Sequence, residues 1–232
     1  ILQDVFPGAF VSYKVSAKNE IPKGAKVVFF HGTPRPHEAK GWVPKFWKIG
    51  GASTLDLMNE GNTETEKLIK NITYSTSLNR RTLEIQDPHD GHAVIVGGGP
   101  SLNSCIEDLK MRKQHGQQIF ALNNSWQWLE KQGISSDYHV MLDARPENAE
   151  FVLPVRQYYA SQCAPEIWDK SPGATLWNHE NAKNLVNGGL TLNGGSTVGL
   201  NAMSLAYVLG FREMHLYGFD SSYDEDRHHA YE

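Results

Sequence analysis

Short apolar runs alternate with helical patterns over the second half of this chain. The apolar runs have the length of buried strands, and they cover residues 93–96, 119–122, 138–142, 157–162, 174–177 and 213–217. Helical patterns lie between them at residues 104–115, 126–132 and 198–209, and a short segment at 165–170 separates the two weakest runs. This alternation predicts an α/β fold, a three-layer Rossmann-like open sheet that is mostly parallel and carries helices on both faces.

The chain divides at a polar, poorly periodic stretch that ends in the turn formers of residues 87–91. We place a partly helical connection over residues 50–91 and the main domain over residues 92–232. Residues 1–49 then form a small N-terminal segment. In that segment the apolar pattern of residues 25–30 predicts one strand, and the prolines after it prevent the strand from continuing.

Two further features of the chain concern packing and completeness. Trp42, Phe46 and Trp47 follow the N-terminal strand at roughly helical spacing, which predicts a packing face. Residues 1–13 resemble mid-domain sequence, and residues 228–232 lie within a polar loop. We therefore expect a fragment whose main domain is truncated at its C-terminus.

Composition and charge exclude several function classes. Of the 232 residues 40% are hydrophobic, which is typical of a globular protein rather than a disordered one. The 22 basic and 26 acidic residues are interspersed, so no surface for nucleic acid or an anionic membrane is predicted. The two cysteines form neither a zinc spacing nor a disulfide framework, and no apolar stretch reaches the roughly 20 residues of a membrane span. We expect a cytoplasmic protein.

Three glycines follow the first strand of the main domain. Backbone amides without side-chain obstruction at a helix start favour an anion such as phosphate. The residues of this predicted phosphate site are Gly97, Gly98, Gly99, Pro100 and Ser101. The alternative is a tight strand-to-helix turn capped by Ser101 or Asn103.

Polar residues also end the second and third strands. Ligands of open parallel sheets bind beyond the carboxyl ends of the strands, so Asn123, Asn124 and Asp143 are predicted to face the same crevice. The asparagine amides can read a ribose hydroxyl or a base edge, and Asp143 can orient a sugar hydroxyl or hold a nucleotide-bound metal ion. The alternatives are helix capping by Asn124 or Ser125 and a salt bridge between Asp143 and Arg145.

A second glycine-rich helix start lies at residues 193–197. Gly195, Ser196 and Thr197 precede the last predicted helix and would form another anion cradle. An ordinary Ser/Thr cap is the alternative.

The last strand ends in Asp220, which is followed by Tyr223, His228 and His229. These side chains can supply a general base, and Asp220 with Asp143 is the candidate pair of metal ligands. A solvated loop would have the same composition.

Other catalytic signatures are absent from the sequence. A dinucleotide fingerprint would need glycine in place of Leu102, which makes a nicotinamide-dependent oxidoreductase improbable, and no Gly-Lys-Ser/Thr completes a Walker loop. No Gly-x-Ser-x-Gly elbow, His-Glu-x-x-His pair or cysteine nucleophile signature supports covalent hydrolase chemistry.

Taken in order, these motifs resemble the MptE-like family, over about residues 93–223. The segments that carry the resemblance are 94–102, 121–124, 133–138, 142–143, 194–198, 209–211 and 217–220. That family includes the archaeal 6-hydroxymethylpterin diphosphokinase and the motility accessory factors linked to flagellin glycosylation. The same order of motifs is similar to the bacterial sialyltransferases that use CMP-sialic acid.

The resemblance implies a nucleotide-binding transferase. In the sialyltransferases the glycine loop, the following asparagine and the Ser/Thr loop contact the donor, which carries over to Gly97, Gly99, Ser101, Asn123, Ser196 and Thr197. Their late tyrosines and histidine correspond to Tyr223 and to His228 or His229. Gly98 stands where those enzymes commonly have asparagine, which favours the MptE-like branch.

The N-terminal segment carries a separate resemblance. Residues 29–37 are similar to the closing His-x-Gly-x-x-Lys-Pro-Trp segment of glycogenin-type glycosyltransferases, with Arg35 in place of the lysine and His37 in place of the tryptophan. This similarity implies that residues 1–49 are the tail of a truncated upstream glycosyltransferase domain.

The expected function is therefore transfer of a glycosyl group from a CMP-sugar, or of diphosphate from ATP with Mg²⁺, to a saccharide or small-molecule acceptor. The competing hypothesis is a non-catalytic nucleotide-binding or interaction module on the same fold. The sequence leaves the acceptor and the oligomeric state open.

Overall fold

The structure is a computed structural model, and it describes residues 10–25, 27–30, 33–34, 36, 38–46, 63–182, 186, 190–195, 197–220 and 229–230. The chain consists of two compact units, Ile1–Asn59 and Glu60–Glu232. The division falls inside the connection predicted over residues 50–91. No helix in the described part of the chain has the length and apolar character needed to cross a membrane.

The first unit contains a pair of short parallel strands. Its elements are β1 (Phe10–Ser12), α1 (Tyr13–Ser16), β2 (Val27–Phe29) and α2 (Val43–Phe46). The strand predicted over residues 25–30 is β2. Tyr13 stacks on Phe30 with ring centroids 4.5 Å apart, and Trp42 Nε1 donates a hydrogen bond to the Ala17 carbonyl at 2.7 Å.

Part of the N-terminal prediction concerns residues that the structure does not describe. Trp42 packs in the small core of the first unit, as its spacing predicts. The Phe46 side chain, Trp47 and the residues of the glycogenin-type resemblance at His31, Arg35 and His37 lie outside the described residues.

The second unit is built on a parallel sheet. Its strands are β3 (His89–Val96), β4 (Gln118–Leu122), β5 (Tyr138–Met141), β6 (Arg156–Ala160), β7 (Thr175–His179), β8 (Thr191–Leu192) and β9 (Phe211–Tyr217). Its helices are α3 (Thr65–Ser77), α4 (Ile106–Gln114), α5 (Ser125–Lys131), α6 (Pro165–Asp169) and α7 (Val198–Val208), with 3-10 turns at Pro100–Ser104, Pro146–Phe151 and Glu180–Ala182. The described strands lie in the order β8-β7-β6-β5-β4-β3-β9, and each neighbouring pair is parallel.

Alternate residues of the central strands bury opposite faces of this sheet. Val94 and Val96 pack in a cluster with residues of α4 and α5, whereas Ala93 and Ile95 pack in a second cluster with residues of α6 and α7. All four side chains are fully buried. The three-layer α/β architecture predicted from the sequence is therefore confirmed.

Several predicted element boundaries are wrong by a few residues. The last strand begins at Phe211, two residues before its predicted start at residue 213. The reason is that β3 is longer than predicted and begins at His89, whose side chain packs against the buried Phe211 ring. The run predicted over residues 157–162 lies one to two residues earlier, since the Cys163 amide already bonds to the Ala160 carbonyl in a turn. The short segment at 165–170 is the helix α6.

Helix α3 lies within the predicted connection and packs against the sheet unit. Asn71 Nδ2 donates to the carbonyls of Ala144 and Gln162, at 3.1 and 3.0 Å. Ser75 Oγ donates to the Ser161 carbonyl at 2.6 Å. Buried polar side chains thus hold this helix at the ends of β5 and β6.

The order of the strands positions a crevice. From β3 the chain proceeds outward through β4 to β8, and α7 then returns it to β9 on the other side of β3. Where the direction of strand order reverses, the loops beyond the carboxyl ends separate and leave room for a ligand. In this sheet the reversal lies between β3 and β9.

Candidate functional site

A cleft of about 230 Å³ lies at this reversal point. It is lined by Gly97, Gly98, Gly99, Leu122, Thr197, Val198, Gly199, Gly218, Phe219, Asp220 and His229. The structure therefore brings together the predicted glycine loop, the start of α7 and two of the late polar residues.

Backbone hydrogen bonds join the two loops that form the floor of the cleft. The amides of Gly97 and Gly99 donate to the carbonyls of Tyr217 and Gly218, at 2.8 and 3.0 Å. A Cβ on Gly97 would lie 2.5 Å from the Gly218 oxygen, and one on Gly99 would overlap the Asp220 carboxylate. Only glycine permits this approach of the two loops.

The Asp220 carboxylate binds the start of the 3-10 turn that follows the glycine loop. Ser101 N donates to Asp220 Oδ2 at 2.8 Å. The cap expected from Ser101 or Asn103 is wrong, because Asn103 Oδ1 instead accepts a hydrogen bond from Trp128 Nε1 at 3.1 Å. The Ser101 amide, which the sequence predicts to bind the anion of a ligand, thus already binds a carboxylate of the chain itself.

The opposite wall of the cleft is the N-terminus of α7. Thr197 is its N-cap, with Oγ1 accepting from Leu200 N at 3.3 Å. Asn201 Nδ2 donates to the carbonyls of Gly195 and Thr197, both at 2.9 Å, and so fixes the loop before the helix. The helix dipole favours negative charge at this end. Ser196 lies outside the described residues.

Gly195 and Gly199 differ in their relation to the cleft. Gly195 has a φ of +66°, and its carbonyl accepts a hydrogen bond from His179 Nε2 at 2.8 Å. Gly195 does not contribute to the lining of the cleft, whereas Gly199 does. A side chain at Gly199 would collide with the Phe219 ring.

Asn123 ends β4 beside the cleft in a constrained conformation. Its φ is +49°, and its amide donates to the Val140 carbonyl at 3.0 Å. The side-chain oxygen of Asn123 is buried without a hydrogen-bond partner among the described residues. Asparagine adopts positive φ more readily than most residues, so the buried oxygen without a partner is the feature that makes Asn123 a candidate functional residue.

Sequence reasoning missed the residue that supports Asn123. His139 Nε2 donates to the Asn123 carbonyl at 2.7 Å, and its Nδ1 accepts from the Tyr159 hydroxyl at 2.8 Å. Burial lowers the pKa of His139 to about 4, although the Asn123 carbonyl opposes this shift. A histidine inside an apolar strand is the signal that could have identified it.

The other two residues that follow β4 contribute to the structure differently. Ser125 Oγ accepts from Leu122 N and donates to the Val96 carbonyl, both at 2.9 Å, so it joins the ends of β3 and β4. The Asn124 side chain makes no cap hydrogen bond, although the residue occupies the N-cap position of α5.

Asp143 forms a bidentate salt bridge. Arg145 Nε and Nη2 donate to its two carboxylate oxygens at 2.9 and 2.6 Å. Burial raises the pKa of Asp143, but the hydrogen bonds and charge of Arg145 outweigh burial and the pKa lies below its ordinary value. Asp143 does not belong to the described lining of the cleft. Its salt bridge to Arg145 is the structural role that the sequence left open as the alternative to ligand binding.

Among the late residues, Asp220 and His229 face the cleft. Ala230, next to His229, donates its amide to the Gly98 carbonyl at 2.9 Å. Tyr223 and His228 lie outside the described residues. The described part of the cleft therefore offers one carboxylate and one imidazole to a ligand.

Two features of the described residues suit a phosphate and a divalent cation. Gly98 lines the cleft together with the first residues of α7, and its amide makes no hydrogen bond among the described residues. The Asp220 carboxylate is an oxygen ligand of the kind that Mg²⁺ prefers.

Comparison with known proteins gives one family. Residues 65–226 match the family described as "6-hydroxymethylpterin diphosphokinase MptE-like". This range includes α3, every strand of the sheet and both loops of the cleft. No curated protein matches the chain.

Among solved structures, the chain is similar to the MAf glycosyltransferase from Magnetospirillum magneticum AMB-1. The TM-score is 0.55 at 17% sequence identity. The similarity covers 86% of this chain and 33% of that protein, so the chain spans about a third of its length. At this identity the comparison shows a shared fold.

Proposed function

The chain belongs to the 6-hydroxymethylpterin diphosphokinase MptE-like family, and from that membership we propose that it is a nucleotide-dependent transferase. The donor is a nucleotide or nucleotide-sugar whose phosphates bind in the cleft between the glycine loop and the start of α7. The group transferred is a glycosyl group, from a CMP-sugar, or diphosphate, from ATP.

The observation that carries this proposal is that the glycine loop and the N-terminus of α7 line one cleft. Gly97, Gly98 and Gly99 lie on one side of it and Thr197 and Val198 on the other, at the point of the sheet where ligands of open α/β folds bind. Asn123 follows Leu122 of the lining, and its buried side-chain oxygen has no hydrogen-bond partner among the described residues, so its amide would turn toward the cleft to contact a ribose or base.

The chemistry would consist mostly of positioning and of stabilising the departing phosphate. The α7 N-terminus would stabilise negative charge on that phosphate, with Thr197 and Ser196 beside it. A late residue, Asp220, His228 or His229, would accept the proton of the acceptor hydroxyl, and Tyr223 would assist the leaving phosphate.

A divalent cation enters only in diphosphate transfer. Asp220 would hold Mg²⁺, which neutralises phosphate charge when bound. Asp143, the second proposed ligand, would first have to release the two hydrogen bonds from Arg145. This cost favours Asp220 over Asp143 as the metal ligand.

The competing candidate is a non-catalytic module that binds a nucleotide without transfer. The Asp220–Ser101 hydrogen bond favours this candidate, because the Asp220 carboxylate bonds to an amide that the phosphate of a donor would otherwise use. Nucleotide binding by this protein without turnover of any donor would support this candidate.

A thermal-shift panel tests the proposal, because a ligand that binds only the folded state raises the melting temperature. CMP, CDP, CTP, UDP, GDP, AMP and ATP are each added with and without Mg²⁺ or Mn²⁺. Metal-independent stabilisation by cytidine nucleotides would support a CMP-sugar donor, and metal-dependent stabilisation by ATP would support diphosphate transfer. If no nucleotide shifts the melting temperature, the proposal is wrong.

Gly98→Leu assigns such binding to the cleft. Its side chain would fill the space above the glycine loop, so nucleotide binding should be lost while the fold persists. Gly173→Leu is the matched control, because Gly173 is exposed and has open space around it. Equal nucleotide affinity in both variants would show that the loop does not bind phosphate.

A further inference from the structure

A cluster of potential metal ligands lies on the sheet, away from the cleft. His92 of β3 and Glu213 of β9 are register partners, and His215 lies two residues further along β9 on the same face. One ligand atom from each side chain lies within 4.8 Å of the other two. His92 precedes Gly97 by five residues, roughly 16 Å along an extended strand, so this cluster is separate from the proposed donor site.

The three side chains lie in mutual contact, through both ring nitrogens of His92 and both carboxylate oxygens of Glu213. His92 Nε2 lies 3.3 Å from Glu213 Oε2, and His215 Nε2 lies 3.6 Å from Glu213 Oε1. The two imidazole rings are stacked, with His92 Nδ1 3.2 Å from His215 Nε2. Ligand atoms around a tetrahedral zinc ion are about 3.4 Å apart, given bond lengths of about 2.1 Å. One ligand atom from each side chain already lies within 4.8 Å of the other two, so side-chain rotations without movement of the strands would bring all three onto one ion.

The surroundings combine rigidity with adaptability. The ligands lie on two hydrogen-bonded strands, and both histidines are half-buried, so the sheet fixes their backbones. The Glu213 side chain is 60% exposed, which leaves its carboxylate free to adjust. A site needs both properties if it is to bind an ion without refolding.

Charge near the cluster also favours a cation. Arg112 of α4, which acts electrostatically on His215, is paired with Asp108, whose Oδ2 accepts from Arg112 Nε at 3.3 Å. The carboxylates of Asp108 and Glu213 outnumber this one guanidinium. A bound divalent ion would therefore add positive charge to a region of net negative charge.

We propose that His92, Glu213 and His215 bind a first-row divalent transition metal ion of the Zn²⁺ type, with water in the remaining coordination positions. Two imidazole nitrogens and one carboxylate oxygen are ligands that such ions accept, whereas Mg²⁺ and Ca²⁺ select oxygen ligands. The ion joins β9 to β3, the two strands whose carboxyl ends carry the floor of the cleft.

Calorimetric titration of the metal-free protein with ZnCl2, without nucleotide, tests this site. His92→Ala and His215→Ala should each remove one bound ion or weaken its binding at least 100-fold. Glu213→Gln should weaken it about 10-fold, and because Glu213 is exposed this variant is expected to fold normally. Retention of wild-type zinc affinity and stoichiometry in the Glu213 and His215 variants would overturn the proposal, as would the absence of zinc binding in the wild type.

Controls separate this cluster from other histidines and from the cleft. His115→Ala removes an exposed histidine at the end of α4 and should leave zinc binding unchanged. Asp220→Asn removes the carboxylate of the cleft and should also leave it unchanged. Visible absorption of bound Co²⁺ gives a second readout: loss of its bands in His215→Ala, but not in Asp220→Asn, is expected, and the reverse pattern would place the ion in the cleft.

Discussion

Gly99 is one of two glycines at which the two loops of the cleft approach closely. Its amide bonds to the Gly218 carbonyl, and a side chain at this position would overlap the carboxylate of Asp220. The sequence shows that the glycine loop follows a buried strand, but it does not show which residues lie opposite the loop. Ser101 and Asp220 are separated by 119 positions in the chain, so only the fold brings them together.

Gly99→Ala should therefore destabilise the loop and weaken donor binding. The added methyl would displace Asp220 from the Ser101 amide, with an overpacking cost of about 1–3 kcal/mol in the free energy of unfolding. Urea denaturation and nucleotide titration measure the two effects. Gly173→Ala, which adds a methyl in open space, is the control, and equal behaviour of the two variants would contradict the inferred close contact.

His139 makes stability depend on pH. Its folded-state pKa of about 4 lies below the ordinary value of 6.5, so the unfolded chain binds more protons between these values. The stabilisation is therefore complete above about pH 6.5 and is lost as the pH falls toward 4, by about 3 kcal/mol.

The comparison with His139→Gln isolates this contribution. The difference in unfolding free energy between wild type and variant, measured by urea denaturation at several pH values, should shrink from pH 7 to pH 4. The exposed His115→Gln is the matched control. A difference that stays constant over this range would show that His139 is not held neutral in the folded protein.

At the level of the element, the sequence gives bounds for helices whose ends carry recognisable signals, but for residues 50–91 it predicts only a partly helical connection. The apolar run before Gly210 and the Ser/Thr-Gly start predict helix α7. Helix α3 lies in a segment rich in Thr, Ser and Asn, and its buried residues are Asn71, Ile72 and Ser75. Ile72 belongs to the core, but the hydrogen bonds from Asn71 and Ser75 are contacts that no periodicity of apolar residues indicates.

Thr197→Ala tests the N-terminus of α7. Loss of the hydroxyl that accepts from Leu200 N should cost about 1 kcal/mol of stability. Thr197→Ser keeps the oxygen and should retain most of it, as measured by chemical denaturation. If the serine variant is destabilised as much as the alanine variant, the hydroxyl cap is not the cause.

Asn71→Ala tests the attachment of α3. The substitution leaves the carbonyls of Ala144 and Gln162 without their donor, at a cost of roughly 2 kcal/mol in a buried environment. Thr73→Ala, on the exposed side of the same helix, should change stability much less. Similar melting temperatures for the two variants would indicate that α3 is not held by Asn71.

For the whole molecule, the sequence predicts the fold class correctly because the apolar strands are regular and their polar ends coincide with the carboxyl edge of a parallel sheet. It does not determine the strand order, since the pairing of β9 with β3 joins residues more than 100 positions apart. The cleft depends on that pairing. The sequence could therefore supply Gly98, Thr197 and Asp220 as candidates without showing that they share one cleft.

A chain of residues 60–232 should fold without the first 59 residues. The two large hydrophobic clusters contain residues of the second unit, and the small cluster of Tyr13, Ala39 and Val43 lies within the first. Far-UV circular dichroism and a cooperative thermal transition of the isolated second unit measure this. A molten or aggregated product would show that the second unit needs the first.

The position of β9 also sets the order in which the site can form during translation. Strand β3 emerges from the ribosome more than 100 residues before the strand that covers its free edge. Until β9 is synthesised, the unpaired N–H and C=O groups along this edge of Val94, Ile95 and Val96 remain open to other strands, a known route to aggregation. The nascent protein therefore acquires its cleft only after β9 is synthesised, and premature termination before Phe211 leaves an unpaired strand edge in place of a binding site.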